Sequence, residues 1–320
     1  MSAPSPPRAN PEICVICGYM SGYLHQVYAE SLSEFGRPRL LDQCRGWLLE
    51  REIPQSDERD AMGCYPLFAC ENWSHLKSDL QQLAGELISV SLVTDPFGEF
   101  DVAYLRECFP DVMKPFKQHF VTDLAQPLES FVNPHHLRNA RKARQQVDVE
   151  HCIEPREFLD DWVNLYQTLI DRHSITSIAA FSRASFARQL SVPGINVFRA
   201  GENGVSVGML LWYEQGDRAY YHLGAYSKRG YELGASFSLF DYALRYFCSR
   251  QLKWLNLGAG AGTGNNDSGL TRFKQGWSNG ARTAYFCGRV FARDKYRRLL
   301  ERTNTGMTDY FPAYRLGEFK

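Results

Sequence analysis

The 320-residue sequence lacks a long apolar run, a net charge and a paired set of cysteines. No stretch reaches the roughly 18–20 apolar residues that a membrane-spanning helix needs, so we expect no membrane span. The 36 basic residues balance the 36 acidic residues. This neutrality excludes a global basic field that would attract nucleic acid, and any such contact would need a local patch.

Cysteine is present, but without the spacing of a framework. Nine cysteines are scattered along the chain, and this odd number predicts reduced thiols in a cytoplasmic protein rather than disulfides. One Cys-x-x-Cys pair, Cys14 and Cys17, lies in the apolar string ICVIC, which is typical of a buried strand. A zinc site would need a second such pair. The sequence has none, and we expect no metal.

The first residues lack the apolar core of a secretion signal. The string MSAPSPPRANPE instead predicts a disordered Pro-rich tail over residues 1–11. The remainder has the composition of a folded protein, because 44% of the chain is hydrophobic and 13% is aromatic. Its length is comfortable for two packed domains.

Strand and helix patterns alternate along the chain, which predicts an α/β fold. In the first half, mixed helical signals run from 28 to 53, helices are predicted at 73–87 and 102–109, and strands at 13–17, 65–70, 88–95 and 117–124. In the second half, helices are predicted at 134–146, 158–173 and 234–250, and strands at 147–153, 195–200, 206–215, 218–227, 253–259 and 282–291.

Residues 255–277, LNLGAGAGTGNNDSGLTRFKQGW, hold alternating glycines and one lysine. A Walker loop needs its lysine directly after glycine, whereas Lys274 follows Phe273. A dinucleotide fingerprint would lack its last glycine and the acidic residue about twenty positions further on. The glycines either turn the chain in a flexible loop or let the backbone approach a ligand. Lys274 either points its ammonium into a cleft or extends over the surface.

A second loop, KRGYELGAS, precedes the long helix predicted at 234–250. The N–H groups at a helix N-terminus are unpaired and favour anions. With Arg229, Gly230 and Gly234 beside it, this terminus could hold a pyrophosphate or another phosphorylated carrier.

These segments resemble the GNAT acyltransferase superfamily. The closer resemblance is to its branch of Fem-type peptidoglycan aminoacyltransferases and cellulose-biosynthesis-like acetyltransferases. Three stretches carry it, at 133–150, 218–246 and 255–277. It covers roughly residues 130–292 well and the first half only in the order of elements. It implies two tandem GNAT-like domains with mixed sheets flanked by helices, a degenerate one at 12–130 and a better preserved one at 131–320.

Residue by residue, the resemblance places a donor site at the start of the long helix. The superfamily loop has the form R-G-x-G-x-G, and Glu232 stands here at the middle glycine. An acid at that place is unfavourable for a pyrophosphate, and members of the Fem branch, which also depart there, can take their acyl group from aminoacyl-tRNA. The donor is therefore acyl-CoA or aminoacyl-tRNA. The implied donor-binding residues are Arg229, Gly230, Gly234, Ala235, Ser236 and Phe273, and the lysine of the Phe-Lys pair, Lys274, serves the reacting ester.

Acyl transfer to an amine or hydroxyl builds a negative oxygen, which fixed hydrogen-bond donors stabilise by several kcal/mol. Lys274 and backbone amides near Gly224 and Tyr226 are candidates for that role. The acceptor must also lose a proton, and His222 is either the base or a histidine of the core.

Four further residues are candidates for binding the acceptor. Asp95 lies in the turn TDPFG, and His173 ends a helix, so that both could line a cleft or simply make the turn and the helix end. Arg138 and Arg141 lie on the most basic helix, which could contact a phosphate or a tRNA end or form a solvated face.

The sequence therefore predicts a cytoplasmic acyltransferase whose acceptor is a small molecule or a precursor of the cell envelope or of a natural product. The alternative is a GNAT-like scaffold that binds a ligand or partner without catalysis. Glu232 is the main support for that alternative. The sequence does not indicate an oligomeric state.

Overall fold

The computed structural model describes residues 20–260 and 269–318, and these residues form one mixed sheet with helices on both faces. The strands are β1 (Arg37–Leu41), β2 (Gly46–Glu52), β3 (Arg59–Gly63), β4 (Ser89–Val93), β5 (Val112–Asp123), β6 (Asp148–Cys152), β7 (Ile195–Glu202), β8 (Val205–Gln215), β9 (Arg218–Tyr226), β10 (Trp254–Gly258) and β11 (Gly280–Val290). The helices are α1 (Gln26–Ser31), α2 (Leu76–Gln82), α3 (Val102–Cys108), α4 (Leu128–Phe131), α5 (Pro134–Ala143), α6 (Leu159–His173), α7 (Arg183–Gln189), α8 (Lys228–Leu233), α9 (Ala235–Ser249), α10 (Gly269–Gln275) and α11 (Arg293–Arg302).

The sheet joins the two halves of the chain, in the order β1-β2-β3-β4-β11-β5-β10-β9-β8-β7-β6. The C-terminal strand β11 lies between β4 and β5, which both belong to the first half. The paired strands are antiparallel except β3 with β4 and β9 with β10, which are parallel. The halves therefore interleave instead of packing as two separate sheets.

The side chains of β8 show why both sheet faces are covered. Met209 and Leu211 pack in a core with α1, α6 and α7, whereas Leu210 and Trp212 pack in a core with α5 and α9. Successive side chains of a strand point to opposite faces, so a continuous apolar run requires apolar cover on each side. A third core lies over β2–β4, where Leu76 of α2 is buried.

Most predicted elements are present, but two segments differ. The strand predicted at 65–70 is wrong, because only Phe68 makes an isolated bridge, to Thr94, and Pro66 has no N–H with which to continue a ladder. The helical signals at 28–53 mislead, since helix α1 ends at Ser31 and the hairpin β1–β2 follows. The alternation of apolar residues expected of a strand is interrupted in this hairpin by charged residues. Glu50 of β2 pairs with arginines from both neighbouring strands, Arg37, Arg39 and Arg59. The predicted tail and the strand at 13–17 lie outside the described residues.

Candidate active site between diverging strands

Two neighbouring parallel strands, β9 and β10, diverge in the middle of the sheet. Strand β10 pairs with β9 only through Trp254, Leu255 and Asn256, opposite Arg218–Tyr220. Beyond Tyr220, β9 continues to Tyr226 while β10 ends at Gly258. The resulting opening is called here the strand cleft, and Tyr221, Gly224, Gly258 and Lys274 lie at it.

Helix α10 brings Lys274 to the strand cleft. Phe273 packs against Phe237 and Phe240 of α9, with ring centroids 5.2 and 4.9 Å apart. The next side chain, Lys274, turns toward the strands, where its Nζ donates to the carbonyl oxygen of Ala259 at 2.7 Å and lies 5.2 Å from the ring centroid of Tyr221. Phe273 therefore anchors the helix, and Lys274 reaches the opening.

The Lys274 ammonium is buried, and no described residue gives it a counter-charge. The residue is only 6% exposed, and within residues 20–260 and 269–318 its Nζ meets no carboxylate. Burial, followed by repulsion from Lys117, lowers the pKa of Lys274 to about 7. The side chain can therefore exist in both protonation states near neutral pH, and an incoming negative charge would favour the ammonium.

Two glycines keep this part of the cleft open. Gly258 has a φ of +74°, and a Cβ there would lie 3.1 Å from the Nζ of Lys274. At Gly224, a Cβ would lie only 2.3 Å from the hydroxyl of Tyr221. Side chains at either position would crowd the two groups that face the cleft.

Three residues at the cleft were not found from the sequence. Besides Tyr221, these are Asn256 of β10, whose Oδ1 accepts from the Gly258 N–H at 2.9 Å, and His119 of β5, whose Nδ1 lies 3.0 Å from that oxygen. Burial, together with the charges of two lysines, lowers the pKa of His119 to about 4. These residues come from separate strands, and only the strand pairing brings them together.

The structure does not bring His222 together with Lys274. His222 lies in the core on the opposite face of β9, where Nδ1 is 3.1 Å from the hydroxyl of Tyr23 and Nε2 is 3.1 Å from Oε1 of Gln189. Burial lowers the pKa of His222 to about 3. Both ring nitrogens are thus used in the core, and no atom of the ring is available to an acceptor at the strand cleft.

Asp95 lies near His222 in the same core, because its partner Tyr220 packs against Tyr23, the partner of His222. Its Oδ1 accepts from the Phe97 N–H at 2.9 Å, and its Oδ2 accepts from the hydroxyl of Tyr220 at 2.8 Å. Burial raises the pKa of Asp95, and the two hydrogen bonds oppose that rise. The carboxylate makes the turn and ties it to β9, on the face away from Lys274.

The donor segment is a helix rather than an open loop, which corrects the expectation for KRGYELGAS. Residues 228–233 form α8, and the Ser227 hydroxyl caps its N-terminus by accepting from the Gly230 N–H at 3.0 Å. A Cβ at Gly230 would lie 2.0 Å from the carbonyl oxygen of Val207, so close packing against β8 explains this glycine. Gly234, with a φ of +67°, turns the chain into α9.

The predicted donor-binding side chains of α8 and α9 bind other residues or are buried in the protein. Arg229 binds Glu202 at 2.6 Å and Glu232 at 3.4 Å. At the start of α9, Ala235 is fully buried and Ser236 is half-buried. The glutamate that stands at the superfamily's middle glycine thus serves as a partner of Arg229.

The remaining predicted residues lie apart from Lys274 on exposed positions. His173 is exposed at the end of α6. Arg138 and Arg141 are exposed on α5, and neither has an ion-pair partner within the described part of the chain. His136 fixes this helix to α10, because its Nε2 donates to the carbonyl oxygen of Phe273 at 3.1 Å.

Residues 135–275 match the family model described as the acetyltransferase (GNAT) domain. This segment is similar to GNAT domains. It runs from α5 to α10 and includes β9, β10 and Lys274. Among curated proteins, no sequence matches the chain.

Solved structures share the fold over most of the chain. The crystal structure of FemX has a TM-score of 0.66 at 12% identity, covering 85% of this chain and 93% of that one. The C-terminal domain of a putative lysylphosphatidylglycerol synthetase from Agrobacterium fabrum has a TM-score of 0.56 at 13% identity, covering 85% and 91%. L-PGS from Bacillus licheniformis has a TM-score of 0.55 at 13% identity, covering 89% and 97%.

These matches confirm the predicted α/β fold with two tandem GNAT-like domains. The match to the GNAT family model also supports acyl transfer as the general reaction. Within the described residues, no helix has the length and apolar character to cross a membrane.

Proposed function

We propose that the protein transfers an acyl or aminoacyl group to an amine or hydroxyl, and that the transfer takes place in the strand cleft beside Lys274. The observation that carries the proposal is the buried ammonium of Lys274, which has no carboxylate partner in the described residues and borders the gap between β9 and β10. A charge kept in that position is costly unless it meets a negative group during function.

The chemistry requires stabilisation of a developing oxyanion. A neutral acceptor nitrogen or oxygen attacks the acyl carbon of an ester or thioester, and the carbonyl oxygen becomes negative. The new bond forms, the bond to the donor oxygen or sulfur breaks, and the acceptor proton passes to the leaving group. Lys274 Nζ, in a water-poor setting, can donate to the oxyanion and stabilise it by several kcal/mol.

Lys274 must carry its proton to fill this role. Because its pKa is lowered to about 7, the charged fraction falls as the pH rises through neutrality. We expect transfer to decline above that pH, unless a bound substrate raises the pKa of Lys274 by its own negative charge.

The donor side favours aminoacyl-tRNA over acyl-CoA. Arg229 is held by Glu202 and Glu232, and Glu232 itself stands at the middle glycine of the superfamily loop, so that an acid replaces a pyrophosphate contact. Arg138 and Arg141 on α5 supply exposed cations for a nucleic-acid phosphate. The acceptor is a small molecule or a precursor of the cell envelope or of a natural product, and the protein acts in the cytoplasm.

Transfer assays test this function. The protein is incubated with a small-molecule extract and either ¹⁴C-aminoacyl-tRNA or ¹⁴C-acetyl-CoA, and labelled products are separated and identified by mass spectrometry. Lys274→Met should reduce transfer by about 10²–10³-fold, the usual effect of removing an oxyanion donor. Lys253→Met is the matched control, because that side chain is 73% exposed. Absence of transfer from both donors would favour the non-catalytic scaffold.

Salt dependence tests the role of the basic helix. If aminoacyl-tRNA is the donor, its affinity should fall steeply with salt, and the double variant Arg138→Gln/Arg141→Gln should flatten that slope. A slope equal to that of the unaltered protein would remove α5 from the donor site.

A further inference from the structure

We propose that Lys117 and His119 of β5 join Lys274 in an anion-binding pocket at the strand cleft, and that this pocket holds a carboxylate or phosphate group of a substrate. Assigning the anion to a substrate rests on the proposed function, whereas the pocket itself is testable without turnover.

Strand β5 adjoins the strand cleft along β10. Phe120 pairs with Gly258, and the preceding residue, His119, is 8% exposed. The Asn256 Oδ1 atom connects the two sides, because it is bound both to His119 Nδ1 and to the Gly258 N–H. Gly258 in turn lies directly beside the Lys274 ammonium. His119 and Lys274 therefore flank the same short piece of backbone.

Lys117 lies two residues before His119 and therefore on the same face of β5, and the charges of the two lysines act on their neighbours. Lys117 lowers the pKa of Lys274, and both lysines lower the pKa of His119, in each case after the larger effect of burial. Burial also lowers the pKa of Lys117, whose Nζ lies 5.5 Å from the ring centroid of Phe116. Among the residues that the structure describes, the ring of Tyr221 and the carbonyl of Ala259 also face Lys274.

No carboxylate compensates this cluster within residues 20–260 and 269–318. Elsewhere the same structure pairs its buried charges closely, as Asp60 is bound by both Arg51 and Arg315. Three basic side chains gathered with no acid from the described part of the chain are the arrangement expected of a site for an external anion.

The pocket has donors for such an anion. Apart from Gly258 and its two chain neighbours, Lys274 Nζ is the single described atom within 4 Å of a Cβ built on Gly258. His119 donates through Nδ1 to Asn256, which leaves Nε2 as the ring nitrogen that can turn to an anion. A bound anion would favour protonation of Nε2 and thereby create a second donor from the ring.

The experiment follows the ammonium of Lys274 directly. Lysine is labelled with ¹³C at Cε, the Lys274 resonance is assigned by its loss in Lys274→Arg, and its pKa is measured by NMR. Sulfate and acetate serve as probes for phosphate-like and carboxylate groups, at an ionic strength held constant with chloride. Each retains its charge between pH 6 and 8. We expect the better probe to raise the pKa of Lys274 by about one pH unit or more at saturation, and the preferred probe identifies the anion class.

Variants on β5 decide whether the proposed residues form the pocket. Lys117→Gln should raise the pKa of Lys274 in the absence of an anion, because it removes a repulsive charge, and should weaken the binding of the preferred probe about tenfold. Lys114→Gln is the control, since Lys114 is exposed on the same strand. Equal effects of the two variants, or a pKa of Lys274 that neither probe changes, would overturn the proposal.

The two proposals can fail separately. Anion binding that Lys117→Gln abolishes, without transfer from either donor, would retain the pocket and refute the acyltransferase. Transfer that depends on Lys274, without any anion effect on its pKa, would retain the enzyme and refute the pocket.

Discussion

Replacing Lys274 by methionine should make the protein more stable at pH 6. The pKa of this lysine falls from 10.5 to about 7 in the folded protein, and that difference corresponds to a cost of about 5 kcal/mol for folding with the charged form. Methionine has a similar size and no charge. We therefore expect the free energy of unfolding at pH 6 to increase by about 3–5 kcal/mol.

The pH dependence follows from proton binding in the two states. Below pH 7 both states hold the proton, and the folded protein bears the full cost of the buried ammonium. Between pH 7 and 10.5 the unfolded chain binds more protons, so the stability of the unaltered protein rises with pH. The advantage of Lys274→Met should shrink by more than half between about pH 6 and pH 9.

Thermal unfolding at several pH values measures this difference. A chain of 320 residues has a melting entropy of about 0.7 kcal/mol/K, so 3–5 kcal/mol corresponds to a rise in Tm of roughly 5–7 °C. Lys253→Met, at an exposed site, should change Tm by less than about 2 °C. A Lys274→Met protein that is less stable at pH 6, or whose advantage does not change with pH, would refute the burial of an unpaired charge.

Three other substitutions test separate features. Gly230→Ala should lower the free energy of unfolding by about 2–4 kcal/mol in urea titrations, because its Cβ would collide with the carbonyl of Val207; an unchanged midpoint would contradict the close packing. His222→Gln should lower Tm but leave the pH profile of transfer unaltered between pH 5 and 8, because the pKa of His222 is about 3. A shifted pH profile would show that His222 takes part in the reaction. Asp60→Asn should cost about 3–5 kcal/mol in urea titrations, because it leaves two buried arginines without their carboxylate; a loss below 1 kcal/mol would show that Glu318 suffices.

Elements with a strong apolar pattern could be predicted from the sequence. Helices α6 and α9 and strands β7–β9 lie within a few residues of the expected bounds, since each has to bury an apolar stripe or both faces. Strands β1–β3 could not be predicted in the same way. Charged side chains of these strands form ion pairs across the strands around the buried Glu50, and such pairs exist only after the strands have met.

The site was predictable only where one segment carries the signal. Phe273 and Lys274 are adjacent in the chain, and the structure places both at the junction of α10 with the sheet. Tyr221 and His119 depend on which strands pair and where the pairing stops, which the sequence does not reveal. The roles of the predicted site residues and the domain boundary near residue 130 stay predictions.

The position of β11 between β4 and β5 means that neither half can complete its own hydrogen-bond ladder. A chain cut after residue 130 would yield one fragment that has β4 and β5 but lacks the strand between them, and a second fragment that carries this strand, β11. We expect neither fragment to fold alone, and we expect the two to assemble when mixed, as split reporter proteins do. Any coupling between the two GNAT-like units would then pass through backbone hydrogen bonds of a shared sheet rather than through a hinge.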